Sequence, residues 1–270
     1  MMQLLQFPFS LYCEKVRWAL DYKGIPFQTV DLLPGFHLRT VRKLAPKTWV
    51  PVLRHNGIVV QDTSAIIDYL ETKYPNPSLT PSNPDAVRKA REWEEYFDKE
   101  IGVTWRLWRL YHSLPIRRLA FRLLLQDAAW HKRPLFMLAF PVIRRAMIQH
   151  MNINADTASQ SEQRLRAALD KLDEALDGRP FLVGDRFSRA DLTACALLSP
   201  CCLPDDSEAS AKFPVPVLKF RNELKSRRLY QWVQSVYSGY RAPLAKRTSL
   251  QPGPWTGRSD LAGGSAVRNE

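Results

Sequence analysis

The stretch Phe7-Pro8-Phe9-Ser10-Leu11-Tyr12-Cys13-Glu14-Lys15-Val16-Arg17-Trp18 decides the fold. Before it, Gln3 to Phe7 is a short apolar run that reads as a buried strand. After it, Tyr12 to Tyr22 follows a helical period, with Val16, Ala19 and Leu20 on one face and Gly24 as the stop. Phe27 to Leu32 reads as a second strand. Pro51-Val52-Leu53 and Ile58-Val59-Val60 flank His55-Asn56-Gly57, and Asn-Gly is the strongest short hairpin signal. Ala65 to Leu70 opens another helix. The order strand, helix, strand, weakly marked helix, hairpin, helix predicts a small mixed-sheet α/β domain.

Further along, Pro75, Pro77, Pro81 and Pro84 crowd a linker-like stretch. Beyond Asp85 the pattern is helical to about Tyr240, with no convincing strand. The expected division is a first domain over 1–76, a linker over 77–86, an all-α domain over 87–245 and a disordered tail over 246–270. Of the 270 residues 45% are apolar and 24% charged, which excludes disorder as the main state. The net charge of +12 predicts attraction to anions. Cys13, Cys195, Cys201 and Cys202 are too few and too irregular for a disulfide scaffold or a zinc site, so no metal and a reducing, cytoplasmic setting are expected. Met1 to Leu5 lacks a basic region and an extended apolar stretch, so no signal peptide is expected.

Four local signals carry chemistry. Ser10 stands at the start of a helix, where a hydroxyl can cap free N–H groups or donate to a bound thiolate. In Trp49-Val50-Pro51-Val52-Leu53 the proline enters a strand, and bare X–Pro statistics favour trans. Gln61-Asp62-Thr63-Ser64-Ala65-Ile66 caps a helix, or grips a zwitterion with N–H groups, a hydroxyl and a carboxylate. In Phe187-Ser188-Arg189-Ala190-Asp191-Leu192, Ser188 and Asp191 form a capping box, and Phe187 and Leu192 the hydrophobic staple.

In this order and at these separations the four segments resemble the cytosolic glutathione transferases, over roughly residues 3 to 240. Ser10 to Arg17 is similar to the family's Ser-Pro-Tyr-Ser/Cys-x-Lys-Val-Arg segment. Val50 to Leu53 is similar to its cis-proline loop, and Asp62 to Ile66 to its Glu/Asp-Ser/Thr-x-Ala-Ile motif. The resemblance implies a thioredoxin-like domain followed by an all-α bundle, a homodimer, and glutathione as co-substrate without a metal. It implies Ser10 as the hydroxyl that lowers the glutathione thiol pKa, and Val50 pairing with the cysteinyl backbone, held by a cis Pro51. It also implies Asp62 and Thr63 at the γ-glutamyl end, and His37 at the glycyl carboxylate, with Arg39 and Lys47 as alternatives. Two positions depart from the family. Leu11 replaces a proline, and Cys13 stands as the second cysteine of a redox pair whose first position is Ser10, so a buried, idle Cys13 is expected.

The implied reaction is glutathione thiolate attack on an electrophile, or reduction of a peroxide. The rivals are a non-catalytic ligand- or partner-binding protein on the same fold, and a specialised glutathione-dependent lyase, dehalogenase or isomerase. Tyr12, Tyr96, Trp105 and Arg109 are the candidate lining of the second-substrate pocket, and the many aromatic residues there suggest an apolar or aromatic electrophile. Residues 115–151 carry Arg117, Arg118, Arg122, Lys132, Arg133, Arg144 and Arg145 against Asp127 alone. Such a segment can lie on an anionic membrane or bind a partner, but a solvated face over a packed core is the preferred expectation. No nucleic-acid signature accompanies the charge.

Overall fold

In the computed structural model, which describes residues 1–125, 130–203 and 213–241, β1 (Met2–Gln6) is central to a four-stranded sheet. It pairs in parallel with β2 (Gln28–Asp31) and antiparallel with β3 (Val52–His55), which continues through a hairpin into β4 (Ile58–Gln61). At the hairpin Asn56 and Gly57 both have positive φ, 48° and 83°, as a type I′ turn demands. The strands alternate. Leu4 and Leu53 face one core, with Ile66 and Ile67, while Leu5 and Val52 face another beneath Val41.

Helix α1 (Leu11–Tyr22) ends where Gly24, at φ +65°, lets its own N–H reach the Asp21 carbonyl and that of Ile25 reach Leu20. This is a Schellman stop, as Gly24 predicts. The weakly marked helix is α2 (His37–Val41), and α3 (Thr63–Lys73) follows β4. Then come α4 (Pro84–Phe97) and, through a π-helical turn at Asp98–Val103, α5 (Thr104–Ser113). The remainder is α6 (Arg117–Leu124), α7 (Arg133–His150), α8 (Ala155–Leu176), α9 (Arg189–Cys202), α10 (Val215–Leu224) and α11 (Arg228–Tyr240). Among the described residues no strand lies beyond β4. The tail expected over 246–270 lies outside them.

Two features hold the sheet against the helices. The first is a buried ionic cluster. Lys15 on α1 pairs with Glu94 at 2.8 Å and Asp98 at 2.7 Å, while Arg189 on α9 pairs with Glu94 and, at 2.6 Å, with Asp68 on α3. The second is the start of α9. There Asp191 accepts hydrogen bonds from the Leu182 and Ser188 N–H groups and from the Ser188 hydroxyl, at 2.8 to 2.9 Å. Phe187 does more than staple the helix, because its ring stacks on Tyr240 at 4.4 Å and on Trp18 of α1 at 5.7 Å.

Candidate functional site at one end of the sheet

Strand register brings the candidate residues together. Leu5 pairs with Val30 and Val52, and Val52 with Gln61, so one row crosses all four strands. Just past that row lie the loop to Ser10, the loop to His37, the Val50–Pro51 entry to β3, and the turn to Asp62 and Thr63. The Val50–Pro51 bond is cis, which overrides the trans default of X–Pro statistics and agrees with the resemblance.

Ser10 occupies the N-cap of α1 with extended backbone, yet its hydroxyl accepts no bond from the helix N–H groups. It meets the Cys13 thiol instead. Cys13 is fully buried, and burial pushes its pKa up against the Ser10 hydrogen bond, so it stays a thiol at neutral pH. Asp62 does cap. Its Oδ1 accepts from the Ser64 and Ala65 N–H groups at 3.0 and 3.2 Å. It does so at φ 90°, an uncommon conformation for a side-chain-bearing residue and one that clusters at ligand sites. Thr63 beside it is buried.

On the other flank, the His37 ring lies edge-on to Phe7 at 4.8 Å. Burial holds its pKa down, so the imidazole is neutral at pH 7, and its Nδ1 has no partner among the described residues. Arg39 is exposed on α2. Lys47 Nζ lies 4.6 Å over the Trp49 ring, while the Gln61 amide donates to the Lys47 and Trp49 carbonyls at 2.8 Å and ties that loop to β4. Leu44, Lys47, Trp49, Val60, Gln61 and Asp62 line a cleft of about 410 Å³.

The helical wall differs from the expected one. Tyr12 donates to the Asp98 carbonyl at 2.7 Å and rests on the π-turn, where a Cβ on Gly102 would come within 2.4 Å of its oxygen. Glu94, Asp98, Gly102 and Arg106 follow at intervals of four and form the face turned towards α1. Tyr96, two residues from Glu94, is about 200° around the helix. It lies against Lys171 of α8, whose Nζ is 4.0 Å from its ring, not over the cleft. Trp105 is 1% exposed and packs on Trp108 and Phe220, so it is core. Arg109 lies over the Phe213 ring at 4.9 Å, also inside the helical half.

Three residues that meet α1 or the loop before it were not among the expected site residues. Arg106 is exposed, with its guanidinium 5.7 Å from the Tyr12 ring. Asp98 has a buried Oδ1 with no partner among the described residues, and burial raises its pKa despite Lys15. Phe9, next to Ser10, packs into the cluster that holds Leu107 and Tyr111. For Asp98 and Arg106 the signal was the four-residue interval from Glu94, but without knowledge of the face meeting α1 it reads as a solvated stripe.

Family models agree with this architecture. Residues 4–78 match the glutathione S-transferase N-terminal domain and residues 135–238 its C-terminal domain. The chain belongs to the glutathione S-transferase family. It is 46% identical over 85 residues to glutathione S-transferase 1 of Dianthus caryophyllus, covering 30% of this chain and 38% of that one. It is 27% identical over 225 residues to the Arabidopsis thaliana glutathione S-transferase TCHQD, covering 77% and 79%. A Methylobacterium radiotolerans glutathione S-transferase, solved with glutathione sulfonate, superposes with a TM-score of 0.53 at 25% identity, over 85% of this chain and 92% of that one. Among the described residues no helix is long and apolar enough to cross a membrane, and no cluster of His, Cys, Asp and Glu could hold a metal ion.

Proposed function

We propose that the protein binds glutathione at this end of the sheet and activates its thiol for attack on an electrophile. The observation that carries the reading is Ser10: a helix-start hydroxyl released from capping, beside the cis Val50–Pro51 entry to β3 and the strained Asp62. Val50 precedes the β3 ladder, so its N–H and C=O can pair with the cysteinyl residue. Asp62 caps through Oδ1 alone, which leaves Oδ2 for the γ-glutamyl ammonium. The Thr63 region holds the γ-glutamyl carboxylate. Neutral His37 can hydrogen-bond to the glycyl carboxylate, and Lys47 supplies the full charge that His37 lacks.

The chemistry follows. The thiol proton leaves to solvent, the Ser10 O–H donates to the sulfur, and the thiolate forms a carbon–sulfur bond as the leaving group departs with its electron pair. Each unit of thiol pKa depression is worth about 1.4 kcal/mol. With a peroxide the same thiolate takes one oxygen and releases the alcohol. A homodimer belongs to this reading, supported by apolar Trp49 and Ile58 exposed at the β4 edge, and sedimentation would test it. A second reading rests on Arg106. A cation on the helical wall suits an anionic electrophile, which the thiolate could add to and leave, as in an isomerase. Glutathione is consumed in conjugation and regenerated in isomerisation.

The deciding experiment titrates purified protein with glutathione and follows ultraviolet thiolate absorbance at neutral pH. Saturable binding with thiolate formed supports activation at Ser10. No binding at millimolar glutathione would leave a non-catalytic protein on the same fold.

A further inference from the structure

The helices α6 and α7 have two apolar faces, and only one is used inside the fold. On the inner side Ala120, Leu123, Phe136, Phe140 and Ile143 are buried together, against Phe9 and Leu33 of the sheet-end loops. Ile143 also abuts Gly35, where a Cβ would come within 2.9 Å of it. On the outer side Leu135, Leu138 and Val142 are 58%, 81% and 73% exposed. At 100° per residue they share an arc of about 60°, and exposed Arg145 lies about 20° beyond its edge. Trp130, 81% exposed, stands just ahead of α7, beside exposed Lys132. An ordinary solvated helix in the same chain looks different, since α4 exposes Arg88, Lys89, Arg91, Glu92 and Glu95. The packed core of the preferred expectation is formed by the inner side, while the outer side is apolar where α4 is charged.

We propose that the outer face of α7 docks flat on an anionic lipid bilayer. Leu135, Leu138 and Val142 enter the headgroup–acyl boundary, Trp130 sits at the interface, and Lys132, Arg145, Arg117 and Arg118 meet the anionic headgroups. Charge selects this occupant. Residues 115–151 hold seven Lys and Arg against Asp127 alone, so a second copy seated on the stripe would set like charges together. An anionic surface meets the exposed Arg117, Arg118, Lys132 and Arg145 with opposite charge. Because the inner face of the same helix packs on the Phe9 loop, a docked α7 would hold the Ser10 end of the sheet near the membrane.

The test is co-sedimentation of the full chain with vesicles of phosphatidylcholine, with and without added phosphatidylglycerol. Binding is expected only with phosphatidylglycerol, and it should weaken as salt is added. The double variant Leu138→Glu, Val142→Glu should lose at least about tenfold in binding, with an unchanged thermal midpoint because both residues are exposed. Lys132→Glu with Arg145→Glu should lose the preference for anionic vesicles. Absence of binding at low salt, equal binding to both vesicle types, or full binding by the Leu138/Val142 variant would overturn the proposal. So would sedimentation equilibrium in which that variant dissociates an oligomer, since the stripe would then be an interface between copies.

Discussion

Ser10 and Gly102 show how much a single position can constrain its surroundings. Ser10 neither caps α1 nor lies buried, so its replacement should disturb the chemistry before the fold. In Ser10→Ala the thiol pKa of bound glutathione should rise and turnover fall by one to two orders of magnitude, while calorimetry shows nearly unchanged glutathione affinity. Unchanged turnover would remove Ser10 from the mechanism. Asp62→Ala should do the reverse, weakening glutathione binding by about tenfold or more, because a charge-assisted bond to the ammonium is lost. Gly102 is a steric case. An alanine there gains about 1 kcal/mol of helix propensity, but its Cβ would come within 2.4 Å of the Tyr12 oxygen and 2.7 Å of the adjoining ring carbon. Gly102→Ala should therefore lose about 1 to 3 kcal/mol in denaturant titrations, and Tyr12→Phe should restore part of it by removing the nearer atom. A double-mutant cycle without coupling would show that the contact relaxes freely.

At the scale of elements, the parts legible in the sequence were those with a local chemical cause. Asn56-Gly57 marks its turn because two positive φ angles are needed there, and Gly24 marks a helix stop for the same reason. Ser188 and Asp191 mark α9 because a helix start needs acceptors. The cis bond at Val50–Pro51 came only through resemblance, since nothing local to Pro51 selects it. The helical wall was misread at Tyr96 and Trp105, because facing depends on what α1 presents. Lys15 is a buried cation, so the side of α4 and of the π-turn that it meets carries Glu94 and Asp98 and looks solvent-facing. The π-turn at Asp98–Val103 adds a further shift that no residue type announces. Arg106 was missed on both counts. The cluster itself makes a strong prediction. Glu94 is 2% exposed and sits between Lys15 and Arg189, with Ser64 donating to it at 2.9 Å. Glu94→Ala leaves two buried cations short of a partner and should lose about 3 to 5 kcal/mol. Because Ser64 belongs to the turn that positions Asp62 and Thr63, glutathione affinity should fall with it, whereas a purely global destabilisation would leave affinity intact below the melting temperature.

For the whole molecule, acid sensitivity sums these carboxylates, and their signs differ. Paired with buried cations and hydrogen-bonded, Glu14, Asp68, Glu71 and Glu94 are held below their ordinary pKa despite the opposing effect of burial. The folded state binds fewer protons at these sites than the unfolded chain, so their stabilisation is present above the unfolded pKa and is lost as pH falls through the folded one. Asp191 runs the other way. Burial pushes its pKa up to about 6 against its hydrogen bonds, so the folded state binds the extra proton between about 4 and 6 and gains stability as pH falls through that window. His37 and His112, whose pKa burial lowers, oppose that gain, because the unfolded chain takes up their protons first as pH falls below the ordinary imidazole value. The thermal midpoint should therefore stay nearly level from pH 7 to about 5, then drop steeply below the ordinary carboxylate range near pH 4. Two variants separate the contributions. Asp191→Asn should turn the level stretch into a decline, at a lower midpoint throughout because one amide oxygen replaces a carboxylate that accepts three bonds. Glu94→Gln should flatten the steep limb, since its side chain has no proton left to gain. If the Asp191 variant stayed level, another group would have to gain its proton there, and Asp98, whose pKa burial also raises, is the next to replace.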